Sequence, residues 1–149
     1  MILLMGIGVV SADDSTSTYE KVETTLQSVV HIETYVMKQR SIGLSGNSDD
    51  SFRKVEETGS GVVVSIKGKP WILTNRHVVA GVQVSTIRAV LADHRKLTLG
   101  RALTNAEFDL ALLEISETDV PMVAIGDSSL VRRSDTVFVL GSPFGVVLK

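Results

Sequence analysis

Cysteine is absent from this chain, which excludes disulfides, thiolate metal sites and a cysteine nucleophile. Metal chemistry of other kinds finds little support. The only histidines, His31, His77 and His94, lie far apart and no HExxH-type spacing occurs, so a catalytic metal is not expected. Neither sign of charge dominates. The net charge is −2 and the basic residues are scattered, which leaves no electrostatic footprint for nucleic acid. Arg88, Arg95, Lys96 and Arg101 read as a solvated sheet face rather than a binding patch. The apolar run at the N-terminus, about ten residues, is far too short to span a bilayer.

What is present points to strands. Apolar residues make up 44% and charged residues 21% of 149 positions, the balance of a soluble globular domain with a real core. Aromatics are scarce while valine, threonine, isoleucine and glycine abound, which favours strands over helices. The segment "TYEKVETTL" (18–26) has apolar residues at Tyr19, Val22 and Leu26, a spacing suited to a short helix. "SVVHIETYV" then alternates, with Val30, Ile32, Thr34 and Val36 on one side and Val29, His31, Glu33 and Tyr35 on the other, wetter side. Residues 39–58 are polar and lack an apolar period, so they read as a long mobile loop. Beyond them, "GVVVSI", "WILT", "VQVSTIRAVLA", "KLTLGRAL" and "DLALLEI" are separated by short polar turns. Such a run of short strands without long helices predicts an antiparallel barrel or sandwich. "PMVAIGDSS" resembles a connector, and "DTVFVLGSPFG" one further strand ending in a turn. The opening "MILLMGIGVVSA" ends in Val10-Ser11-Ala12, small residues where a signal peptidase cuts, so residues 1–12 are expected to be an export signal.

The candidate chemistry centres on "WILTNRHVVAG" (71–81). His77 follows an apolar strand, at a strand-to-turn junction, where a lone histidine is structural more often than catalytic. A neutral imidazole can nonetheless take a proton from a hydroxyl if a carboxylate holds its other nitrogen. Asp109 is the best-placed partner, since it stands immediately ahead of an apolar run where a carboxylate without a partner is costly. Taken alone, it reads rather as a turn- or helix-capping aspartate. Asp93, Asp119 and Asp127 all sit in turn-like settings, His31 reads as structural, and His94 reads as a solvated hairpin residue.

The ordered set "GSGVVVS…WILTNRHVVAG…FDLALLEI…PMVAIGDSSLVRRSDTVFVLGSPFG" resembles the trypsin-like serine proteases of the HtrA (Deg) family, from about Glu20 to Gly145. The resemblance implies an all-β fold: a trypsin-like antiparallel β-barrel over 18–120, with a short N-terminal helix. Residues 121–149 would form the inter-barrel connector and the first strand of a second barrel. It makes His77 the general base and Asp109, 32 positions later, the acid that orients it, and it gives Gly59-Ser60-Gly61 the role of a turn opening a barrel strand. Arg76 departs from the family's usual alanine. The family's nucleophile lies in a Gly-Asn-Ser-Gly-Gly-Pro segment of the second barrel, and no such segment occurs in these residues. Ser60, Ser128, Ser129 and Ser142 all fall in structural turns or the connector by the same resemblance. The implied function is that of an exported, periplasmic or cell-envelope serine endopeptidase acting on unfolded or misfolded polypeptides. Homotrimers and PDZ domains are common in the family, and no cofactor, nucleic acid or membrane span is involved. The 149 residues by themselves are expected to be inactive. The alternative is a non-catalytic half-protease that acts as an interaction module or has no independent function.

Overall fold

The computed structural model describes residues 5–6, 15–39 and 52–142. Most of the expected export signal, residues 40–51 of the expected loop and the end of the Gly-Ser-Pro-Phe-Gly turn lie outside them.

Helix α1 spans Ser15–Leu26, three residues earlier than its apolar spacing suggested. Thr24 and Thr25 turn their hydroxyls back onto the carbonyls of Glu20 and Lys21, both at 2.7 Å, which satisfies those side chains within the helix. The helix stops where Ser28 folds its N–H and hydroxyl onto the Thr25 carbonyl. The Ser28 carbonyl then accepts the Val63 N–H, so the buried corner that ends the helix also launches the sheet.

Strand β2 runs Val29–Gln39 and β3 runs Phe52–Ile66. They pair in an unbroken antiparallel register from Val29↔Val62 to Gln39↔Phe52. Residues 52–58 are therefore strand, not the loop that their polarity predicted. The backbone ladder, which is blind to side-chain polarity, holds this ribbon in register. Gly59-Ser60-Gly61 accordingly lies in mid-strand, not in a turn. The two glycines face inward, where a Cβ on Gly59 would lie 2.6 Å from Val78 and one on Gly61 2.6 Å from Ile72. Their absent side chains let neighbouring elements close onto β3.

Lys67 and Gly68, at φ 52° and 76°, make the two-residue turn whose twist matches a hairpin, and β4 follows as Lys69–Asn75. A helical turn, α2 (Arg76–Val79), leaves its end. The sequence reading of one strand from Val82 is too long. Thr86 closes onto the Gln83 carbonyl through both its N–H and its hydroxyl, giving a 3-10 turn at Val84–Thr86 before β5 (Ile87–Leu91). β-Branched residues resemble a strand in composition even where a local hydroxyl bond folds them. A tight turn with His94 at φ 67° leads to β6 (Lys96–Leu97), β7 (Leu99–Asn105) and β8 (Leu110–Ile115).

These strands form one sheet, order β6-β5-β2-β3-β4-β8-β7, with every pairing antiparallel. Its two edge strands, β6 and β7, are separated in the chain by Thr98 alone. The sheet must therefore curl until its edges meet, which makes it a barrel-like, mostly β architecture with a short N-terminal helix. The concave side holds the core, in which Val30, Ile32, Val63, Ile72, Ala89 and Leu113 are completely shielded. Thr34 and Thr74, equally buried, stay on that side because their hydroxyls bond the Glu57 and Ser60 carbonyls.

Past β8 the chain crosses the convex face. Val123 bridges to β3 through Val63 and Ser65 and joins Val62, Val64 and Trp71 in a second apolar cluster. Asp127 caps a 3-10 turn at Ser128–Leu130 by accepting the Ser129 N–H. The expected strand at 136–140 is reduced to β9, Phe138–Val139, paired with β1, Met5–Gly6. Leu130, Val137, Phe138 and Val139 are exposed.

Candidate active site

Two loop ends meet beside the edge of the core. On one side, β4 ends at Asn75 and the chain makes the single helical turn α2. Val78 and Val79 are buried against the core, so the turn is anchored by its C-terminal half while His77, before them, faces outward. On the other side is the β7–β8 hairpin. Asn105 accepts the N–H groups of Glu107 and Phe108 through its side-chain oxygen, at 2.9 and 3.1 Å, an Asx-type closure that sets the loop's shape. Asp109 then takes a left-handed backbone conformation, φ 50°, and β8 begins at the next residue.

The geometry between the two ends is tight. His77 Nδ1 lies 2.6 Å from Asp109 Oδ2, and the His77 backbone N–H donates to Oδ1 at 2.9 Å. The Asp109 backbone carbonyl accepts the Arg76 N–H at 2.9 Å and the Asn75 side-chain amide at 3.0 Å. An ionised carboxylate only accepts, so a proton resides on Nδ1, and in the neutral tautomer the free lone pair is on Nε2, on the ring edge away from Asp109. The hydrogen bond from the His77 ring, with help from the His77 N–H and from the charges of His77 and Arg76, holds the Asp109 carboxyl below its ordinary value of 3.8 against a smaller opposing effect of desolvation. Both side chains remain about half exposed, at 54% and 45%. The carboxylate that meets the imidazole also accepts the backbone N–H of His77 in the helical turn.

The other sequence candidates are dispersed. His31 is 9% exposed, which corrects its assignment to a wet face. Ser60 stands opposite it in register, and the Ser60 hydroxyl accepts the N–H of buried Ser142 from 82 positions along the chain. His31 Nε2 lies 3.6 Å from Glu33, and its Nδ1 has no hydrogen-bond partner. His94 is exposed in its turn, as expected. Asp93 pairs with Arg95 at 2.6 Å, and Arg95 also donates to the Asp119 carbonyl. Arg88 and Arg101 pair with Glu33 and Glu114, consistent with a solvated charged face. Among the described residues no cluster of three or more potential metal ligands occurs, and no helix is long and apolar enough to cross a membrane. The residue that sequence reasoning missed is Asn75. The only available signal was an amide side chain at the last position of a strand, a place where such groups bond nearby backbone.

The model of the trypsin-like peptidase domain family matches residues 59–148, more than half of the chain. Among curated proteins, the serine protease Do-like HtrA of Bacillus subtilis is 36% identical over 138 residues, which cover 90% of this chain and 30% of that protein. The "Probable periplasmic serine endoprotease DegP-like" of Hahella chejuensis is 40% identical over 93 residues, 62% of this chain and 19% of that one. This chain thus spans less than a third of the length of either relative. Among solved structures, a variant of the HtrA-type protease AlgW with a decapeptide superposes with a TM-score of 0.71 at 27% identity, covering 86% of this chain and 41% of that one. On these likenesses and the curled antiparallel sheet they share, the chain belongs to the trypsin-like peptidase domain family, related to the HtrA/DegP-like serine proteases.

Proposed function

We propose that residues 18–120 are the histidine- and aspartate-bearing barrel of an HtrA-type serine endopeptidase. His77 is the general base and Asp109 the carboxylate that orients it. The observation that carries this reading is the doubled contact between the two residues, ring to Oδ2 at 2.6 Å and backbone to Oδ1 at 2.9 Å. In the proposed reaction Nε2 of His77 removes the proton of a serine hydroxyl as that oxygen attacks the scissile carbonyl. Asp109 stabilises the imidazolium, which then returns the proton to the leaving amine. The serine and the oxyanion-hole amides belong to a second barrel, into which 121–149 leads as connector and first strand. Substrates are unfolded or misfolded polypeptides, and assembly is homotrimeric. The apolar residues 1–12 serve export to the periplasm or cell envelope, in keeping with the periplasmic designation of the Hahella relative.

The test is a chimera in which residues 18–142 replace the matching part of the Bacillus subtilis protease, assayed on unfolded casein. Turnover that falls by about 10⁴-fold in D109N, and at least as far in H77A, supports the reading. A folded chimera whose turnover survives H77A overturns it. The 149-residue chain alone is expected to give no turnover, the result required by the second reading as well; only the chimera separates protease from non-catalytic module.

A further inference from the structure

We propose that Asn75 is a positioning residue that acts on His77 through the backbone of Asp109, an inference that rests on the general-base reading of His77. Asp109 has a left-handed backbone, φ 50°, a conformation in which non-glycine residues are uncommon and which the surroundings must hold in place. That conformation lets one residue serve the end of β4 twice: its carbonyl takes the Arg76 N–H and the Asn75 amide, and its carboxylate takes the His77 N–H and ring. Three consecutive residues thus grip a single residue through four hydrogen bonds. Three of them are made by backbone N–H groups or by the imidazole itself; only the bond from Asn75 is a side-chain tether that could be changed without touching His77 or Asp109.

The amide can serve in one orientation only. Its Nδ2 donates to the Asp109 carbonyl at 3.0 Å, while its buried Oδ1 has no hydrogen-bond partner. Flipping the amide would set oxygen against oxygen and gain nothing in exchange. Asn75 is partly buried at the strand end, so the bond is sheltered from competing water, whereas the His77–Asp109 pair it supports is half exposed. A sheltered tether behind an exposed pair fixes where the carboxylate stands, and so which way Nε2 points, when solvent alone would let the imidazole turn.

The test uses the 149-residue chain, N75L (similar in shape, no donor, no charge) and N75A, observed by NMR. In the folded variants the downfield proton on His77 Nδ1 is expected to exchange about tenfold faster, the equivalent of one hydrogen bond, and the Asp109 titration to move up toward its ordinary value, with His31 resonances unchanged. A role confined to stability would lower the melting temperature and leave the exchange and the titration of the folded state as they are; that result in either folded variant overturns the proposal. In the chimera, N75L should lower kcat with little change in KM. A chimera inactive with Asn75 intact would refute the general-base reading and leave the NMR result standing, so the two failures are distinguishable.

Discussion

Two histidines of this domain stand near carboxylates, one in the turn α2 and one in β2, and they differ in every respect that matters for chemistry. His77 meets Asp109 at 2.6 Å in a half-exposed setting; His31 meets Glu33 at 3.6 Å with its ring nearly covered. Asp109 is held by backbone and side-chain donors from 75–77, and among the described residues its carboxylate is hydrogen-bonded by His77 alone. Glu33 shares its carboxylate with Arg88 at 3.1 Å and the Tyr35 hydroxyl at 3.4 Å. The pairs also differ in sequence separation, two residues along one strand against 32 across two loops. Burial therefore does not mark the histidine proposed as the general base. What sets His77 apart is a carboxylate itself held by hydrogen bonds from the end of β4, beside a half-exposed ring.

Substitutions can break that contrast in graded ways. L113A should have the largest effect. Leu113 is completely buried and pairs with Ile72 in the strand that follows Asp109, so its truncation should cost about 2–5 kcal/mol in denaturant unfolding and weaken both histidine environments together. Gly59→Ala should be next, about 1–3 kcal/mol by overpacking, because the new methyl would meet Val78. Since Val78 follows His77, NMR shifts should be larger at His77 than at His31, and equal shifts would contradict the local picture. Asp109→Asn should change the melting temperature little but abolish the downfield ring proton of His77, leaving His31 untouched. Acidification sharpens the same point. Because the folded Asp109 carboxyl titrates below its ordinary value of 3.8, the stabilisation it supplies is full above that value and is lost as pH falls through the lower, folded one. The downfield proton should therefore survive at a pH where an ordinary aspartate is already half protonated. Glu33→Gln should do least, at most about 1 kcal/mol, with no change at His77.

Much of this was legible because burial imposes a period. The alternation of Val30, Ile32 and Thr34, and the apolar runs around Ile72 and Leu113, marked the sheet. His77 and Asp109 stood out as polar residues at the ends of such runs. Residues 52–58 were illegible for the converse reason: a ribbon held by its backbone ladder needs no apolar pattern. The turn at Val84–Thr86 hid behind β-branched composition, and Gly59-Ser60-Gly61 looked like a turn because glycine also serves close packing.

The sequence by itself determined the strand content, the absence of thiol chemistry and the placing of one imidazole and one carboxylate at strand ends, since these follow from residue type and local periodicity. The tertiary structure alone decided that the two meet at 2.6 Å, that His31 is nearly covered, and that Asn75 tethers Asp109 from behind. All three depend on the packing of the sheet, and the two contacts of Asp109 also on its left-handed backbone at a hairpin end. Such long-range closure is fixed by how all the strands pack together, and no short window of sequence contains it.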